Sequence, residues 1–131
     1  MNEKETILSL SRQLLEAITA KDWNTYQQLT DPSLTCFEPE ACGHLVEGWS
    51  FHQFYFQLGG GSRPGNVTIA EPHIRIVGDV AVAAFVRLNQ TIGPDGPQTV
   101  AFEETRIWQK QNGAWKHVHF HRSEAGRTEK Q

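Results

Sequence analysis

The sequence predicts an α+β fold, with N-terminal helices packed in a strongly curved antiparallel β-sheet formed by the second half of the chain. Three observations predict it. Apolar residues recur at helical spacing over the first twenty positions. Long strand-like runs fill residues 67–123, separated by glycine, proline and asparagine. Helices come first and strands later rather than alternating, which is the α+β order. All 131 residues are read as one domain, the usual length for a single core.

Ile7, Leu10, Leu14, Leu15 and Ile18 share one helical face, predicting a helix over residues 3–20. Asp22 is placed to cap a short second helix in which Trp23, Tyr26 and Leu29 follow at three-residue steps. Asp31-Pro32 ends it, because a residue before proline avoids the helical region. A short strand follows with Leu34 and Cys36 on one face. Ser50 is the expected N-cap of an aromatic third helix over residues 51–58. The glycine-rich stretch 59–65 reads as a flexible loop.

Residues 67–77 form a strand interrupted by Pro72, which predicts an edge position or a bulge. Gly78-Asp79 turns the chain. Residues 80–91 are nearly all apolar, so both faces of that strand are expected to be covered. Residues 93–97 read as a loop and residues 100–109 as a third long strand. Asn112-Gly113 is a hairpin signal leading into a last strand over 115–123. The polar tail after Gly126 is expected to fray.

Composition narrows the function. The net charge is −3, against a protein that holds nucleic acid by bulk electrostatics. No apolar run approaches the roughly 20 residues of a membrane span. No targeting segment is visible. The two cysteines, Cys36 and Cys42, fit no zinc or thioredoxin spacing and read as reduced thiols of a cytoplasmic protein. Phosphate-loop, dinucleotide-fold, hydrolase-elbow and kinase catalytic motifs are all missing from the sequence.

Three arginines stand out. Arg87 lies near the end of an apolar run. Arg106 shares a strand face with Phe102, Glu104 and Trp108, and Arg122 shares one with Val118 and Phe120. A guanidinium on a buried face stays charged and needs an anionic partner. Two readings remain open: structural ion pairs to Glu104, Glu103 or Glu38, or a cluster gripping a carboxylate or phosphate. His117, His119 and His121 alternate along the last strand and so share a face. In line they span too far to share one ion, so no metal and no cofactor is assigned. Glu38 and Glu40 are paired carboxylates that suit acid–base work, arginine pairing or loop capping. His52 and Tyr26 are candidate ligand contacts or satisfied core groups.

Residues 31–48 (DPSLTCFEPEACGHLVEG), 51–56 (FHQFYF), 103–108 (EETRIW) and 118–123 (VHFHRS) together resemble the association, or hub, domain of calcium/calmodulin-dependent protein kinase II. The likeness runs over residues 6–124, without a kinase domain or calmodulin-binding segment, as in a free-standing hub. It implies the cone of the nuclear transport factor 2-like and SnoaL-like superfamily. It further implies self-assembly through the sheet into dimers and stacked rings of about twelve or fourteen copies. It implies a pocket for a small carboxylate lined by Tyr26, His52, Arg87, Arg106 and Arg122.

There are departures from the family pattern. The loop after Phe56 is shorter and lacks the tryptophan of the alpha-type hub, so a loop-gated response does not carry over. Cys36, Cys42 and His44 replace two alanines and an asparagine. An enzymatic alternative uses His52 and Tyr26 for isomerase, dehydratase or cyclase chemistry. There the nearby arginines would keep the histidine neutral and lower the tyrosine pKa. A pure scaffold with closed ion pairs is the other alternative.

Overall fold

The computed structural model describes residues 1–58 and 65–128. The expected glycine-rich loop, apart from Gly65, and the last three residues of the tail lie outside the described residues.

Helix α1 spans Glu3–Ala20 and buries Ile7, Ser11, Leu14, Leu15 and Ala17. Asn2 caps its start by accepting a hydrogen bond from the Glu5 N–H. Its end closes with Lys21 in the left-handed region, where the Asp22 N–H donates to the Ala17 carbonyl at 2.8 Å. Asp22 then caps α2, Trp23–Leu29, as the spacing predicts. Strand β1 is Thr30–Phe37, with Leu34 and Cys36 fully buried on one face. A single 3-10 turn, Pro39–Ala41, and the two-residue strand β2, Val46–Glu47, lead to α3, Ser50–Phe56.

Helix α3 begins one residue early. Trp49 is its N-cap and Ser50 is its first helical residue, so the expected serine cap is not used. The Trp49 indole N–H donates instead to the Thr30 hydroxyl at 2.9 Å, tying α3 to the end of α2. A tertiary contact thus replaces the local cap.

Four long strands complete the chain: β3 (Gly65–Val77), β4 (Val80–Gly93), β5 (Gly96–Gln111) and β6 (Ala114–Arg127). With β1 and β2 they form one six-stranded sheet in the order β2-β1-β6-β5-β4-β3. Helix α1 packs over β3 and β4 on its inner side. Pro72 sits on the edge strand β3, at a register break between Ala70 and His73, so it marks both an edge and a bulge. The sheet is not wholly antiparallel: β1 runs parallel to β6.

Three further expectations are corrected. The hairpin strands run longer than their hydrophobic pattern, since polar Asn89–Thr91 pairs with Gln98–Val100 out to the turn at Pro94-Asp95. Strand β6 passes Gly126, and the Thr128 N–H donates to the Thr99 carbonyl at 2.9 Å. Strand β4 is covered on one face only. Ala81, Ala83, Phe85 and Arg87 are buried, while Val82, Ala84, Val86 and Leu88 between them are half-exposed, because among the described residues no helix packs on the outer side.

The histidine row also breaks. Ile107 pairs with His119 but Trp108 pairs with His117, so β6 carries one extra residue at Val118. The bulge reverses the alternation. His117 turns into the core against Trp108, fully buried, whereas His119 and His121 stay on the outer face beside Phe37. The same bulge removes Val118 from the simple alternation that joined it to Arg122.

Asn112 and Gly113 both have positive φ, 52° and 83°, as a type I′ hairpin turn requires. A Cβ on Gly113 would meet nothing within 4 Å, so its role is conformational rather than steric. Gly113→Ala is expected to lower stability by about 1 kcal/mol, read as a reduced urea midpoint with an unchanged slope.

Candidate functional site

The site is set by two rows of paired residues crossing the inner face of the sheet. Ala83 on β4 pairs with Arg106 on β5, Arg106 with Phe120 on β6, and Phe120 with Cys36 on β1. In the next row Phe85 pairs with Glu104 and Glu104 with Arg122. Glu38 follows one residue beyond β1 in extended conformation, on the same side as Cys36 by period two. Helices α2 and α3 supply Tyr26 and His52 from above.

These side chains enclose a cavity of about 260 Å³. Tyr26, His52, Arg87, Arg106 and Arg122 all line it, as do Glu38, Glu40 and Phe120, with Ile18, Tyr55 and Phe56 toward the helices. The five residues singled out from the sequence therefore converge. Tyr26 stacks on Trp23 and touches Phe56, with ring centroids 5.3 and 4.8 Å apart, so this wall is rigid and apolar.

The arginines are paired inside the protein. Glu104, almost wholly buried, accepts from Arg106 Nε at 2.7 Å through one oxygen and from Arg87 Nη1 at 3.1 Å through the other. Arg87 Nε donates to Asn89 at 2.9 Å. Arg122 pairs with both Glu38 and Glu40. The guanidinium of Arg106 lies over the Phe120 ring at 4.3 Å, and that of Arg122 over Phe102 at 4.6 Å. Among the described residues, the two Nη atoms of Arg106 have no hydrogen-bond partner. Two guanidinium groups thus share one carboxylate on the β4–β5 side, leaving local positive charge, while two carboxylates, Glu38 and Glu40, meet the one guanidinium of Arg122 on the other side and leave that side locally negative.

Burial pushes the Glu104 carboxyl upward, but Arg106 and then Arg87 pull it down further, and the net direction is down. Glu38 follows the same logic: burial raises it, the His52 hydrogen bond and the Arg122 charge lower it, and the net direction is down.

A chain of contacts runs through His52. Its Nδ1 lies 3.1 Å from the Tyr26 hydroxyl, and its Nε2 lies 2.9 Å from Glu38 and 3.6 Å from the Cys36 sulfur. The expectation that the arginines lower the tyrosine pKa is overturned. Burial raises Tyr26 well above its ordinary value, and the Arg106 charge offsets only part of that. The phenol stays protonated. Burial, and then the Glu38 charge, push the Cys36 thiol up to about 12. Both cysteines are free, Cys36 buried and Cys42 exposed.

Two residues beside His52 are missing from the expected site: Cys36, read as a reduced thiol on the face of Leu34, and Glu38, read as a paired acid for acid–base work, arginine pairing or loop capping, of which the arginine pairing is observed. Their two-residue spacing along an extended segment is the signal that puts them on one face. Nothing in the spacing shows that His52 meets them. Among the described residues, Cys36, Glu38 and His52 also group three donor atoms of metal-ligand type within 4.8 Å of one another.

Comparison with known proteins now fits this geometry. Residues 3–126 match the calcium/calmodulin-dependent protein kinase II association domain. The chain belongs to that family. It is 46% identical over 124 residues to the delta subunit of calcium/calmodulin-dependent protein kinase type II from Oryctolagus cuniculus. That match covers 92% of this chain and 23% of the kinase subunit, so the chain spans about a quarter of its relative's length.

The hub homology domain from Chlamydomonas reinhardtii superposes with a TM-score of 0.90 at 43% identity, covering 96% of this chain and all of that one. The association domain from C. elegans gives 0.88 at 43% identity, covering 92% and 95%. A nuclear transport factor 2-like protein from Cytophaga hutchinsonii shares the fold at a TM-score of 0.80 and 22% identity, over 95% and 99% of the two chains. The fold is therefore that of the nuclear transport factor 2-like cone. Among the described residues, no helix is long and apolar enough to cross a membrane.

Glu104→Gln leaves Arg87 and Arg106 facing each other without a counter-charge. It is expected to cost about 3–5 kcal/mol by chemical denaturation. Because the folded pKa of Glu104 lies below its unfolded value, its contribution is complete above the unfolded value of about 4.3. It is lost as pH falls from there toward the lowered folded value. The stability gap between wild type and Glu104→Gln should therefore shrink as pH drops below about 4.3.

Proposed function

We propose that this chain is an assembly module that associates with copies of itself and holds a small organic carboxylate in its arginine-lined pocket. The observation that carries the ligand half is the state of Arg106. It spends Nε on Glu104, and its side chain lines a cavity that suits a molecule of a few heavy atoms. A carboxylate there takes paired N–H donors on the side where two arginines share one acid, away from Glu38 and Glu40. Tyr26 and Phe56 then cover its apolar end.

Membership of the hub family supports the assembly half. So does the half-exposed outer row Val82, Ala84, Val86 and Leu88 of β4, with the exposed Phe37 farther across the same sheet on β1, which leaves apolar surface for another copy. Dimers building stacked rings of about twelve or fourteen copies are the form this takes, with closed symmetry.

The ion pairs favour a second reading, a scaffold in which the arginines serve the fold alone. Isothermal titration calorimetry with a short hydroxy acid separates the two. The ligand reading expects micromolar to millimolar affinity in the wild type, since so few atoms limit the contact energy. It expects no detectable heat for Arg106→Ala. Equal titrations of both proteins favour the scaffold. Light scattering checks assembly separately: the expected species is many times the protomer mass, and a monomer at micromolar concentration contradicts it.

A further inference from the structure

The wall of the pocket nearest β1 offers a different chemistry from its arginine side. Cys36 is fully buried, and the side chains of Glu38 and His52 are 6% and 11% exposed. The sulfur of Cys36 lies 3.6 Å from His52 Nε2, and Nε2 lies 2.9 Å from Glu38 Oε1. All three donor atoms fall within 4.8 Å of one another. A tetrahedral zinc ion with bonds of about 2.3 Å to sulfur and 2.0–2.1 Å to nitrogen and oxygen spaces its ligand atoms about 3.4–3.6 Å apart. The sulfur–nitrogen separation already meets that spacing. The nitrogen–oxygen pair need open by only about half an ångström.

We propose that Cys36, Glu38 and His52 form a binding site for one borderline-soft divalent cation, zinc fitting best, with its fourth coordination position open to the pocket. The donor set is one thiolate, one carboxylate and one imidazole, which suits zinc and disfavours calcium or magnesium, whose ligands are oxygens.

The groups not used for coordination already hold these ligands in place. The second oxygen of Glu38 lies 3.5 Å from Arg122 Nη2. The Nδ1 of His52 faces the Tyr26 hydroxyl. Such partners fix the orientation of metal ligands and their tautomer. The Tyr26 contact allows the one proton of a neutral His52 to sit on Nδ1 and be accepted by the phenol oxygen, leaving the Nε2 lone pair for the metal. The Cys36 thiol proton leaves to solvent as the metal–sulfur bond forms.

Charge supports the assignment. The thiolate and the Glu38 carboxylate cancel the two positive charges of the ion, so the loaded site is neutral beside Arg106 and Arg122. Arg122 keeps its second partner, Glu40, when Oε1 of Glu38 turns to the metal. The site does not rest on carboxylate binding, because none of its ligands is an arginine.

Titration of the full chain with cobalt(II) chloride, under anaerobic conditions, tests it. The expected result is one equivalent bound, with a sulfur-to-cobalt charge-transfer band and visible bands of tetrahedral intensity. Zinc chloride added afterwards should bleach them. Cys36→Ala and Cys36→Ser should each abolish the charge-transfer band and weaken binding at least about tenfold. Cys42→Ala, at the exposed cysteine, should leave both unchanged. A wild-type titration without the band overturns the site. So does a band that survives in either Cys36 variant, or one that is lost in Cys42→Ala.

Discussion

Two buried guanidinium groups share the one carboxylate of Glu104, and the rest of the pocket is arranged around that shared charge. Neither Arg87 nor Arg106 can shed its charge at this depth, so each needs an anionic partner. Glu104 satisfies one donor on each and holds both against the inner face of the sheet. The cation–π contact of Arg106 with Phe120 covers one face of its guanidinium. The Arg106 side chain lines the cavity. A buried ion pair of this kind adds little net stability over an apolar pair of the same volume. Its consequence is geometric: it holds both guanidinium groups in place and leaves one side of the pocket short of negative charge.

Register turns that charge pattern into a site. The rows Ala83–Arg106–Phe120–Cys36 and Phe85–Glu104–Arg122 exist only because the extra residue at Val118 reverses the alternation of β6. Without it, period two would keep His119 and His121 on the inner face with Trp115 and His117, and Phe120 and Arg122 would turn outward with Val118. One added residue thus separates a buried wall carrying the arginines from an outer face carrying His119 and His121. The pocket and the outer surface available to another copy are the two sides of that single irregularity.

Much of this was legible in the sequence, for physical reasons that differ by element. Helix α1 and its apolar face follow from spacing, and the Asp22 cap and the Asn112-Gly113 turn follow from local chemistry that needs no tertiary partner. The convergence of Tyr26, His52 and the three arginines followed from the family likeness, since periodicity could put each arginine on a face but not the three together. What escaped was set by contacts distant in sequence. Trp49 rather than Ser50 begins α3 because its indole reaches Thr30. The strand ends near Gln90 and Gln98 are polar on both faces and so carry no alternation to read. His117 misled because a bulge leaves no mark in a His-x-His-x-His pattern. Cys36 shares a strand face with Leu34 and is a core residue, but the histidine beside its sulfur lies 16 residues along the chain, and only the fold brings the two together.

The central claim is that the free edge of Arg106 is the receiving point for a small acid. A crystal structure grown with a saturating short hydroxy acid tests it most directly. The account predicts carboxylate density about 2.7–2.9 Å from the Nη atoms of Arg106, with Glu104 still bridging Arg87 and Arg106. A pocket holding only water, with those Nη atoms turned onto protein carboxylates, would contradict it.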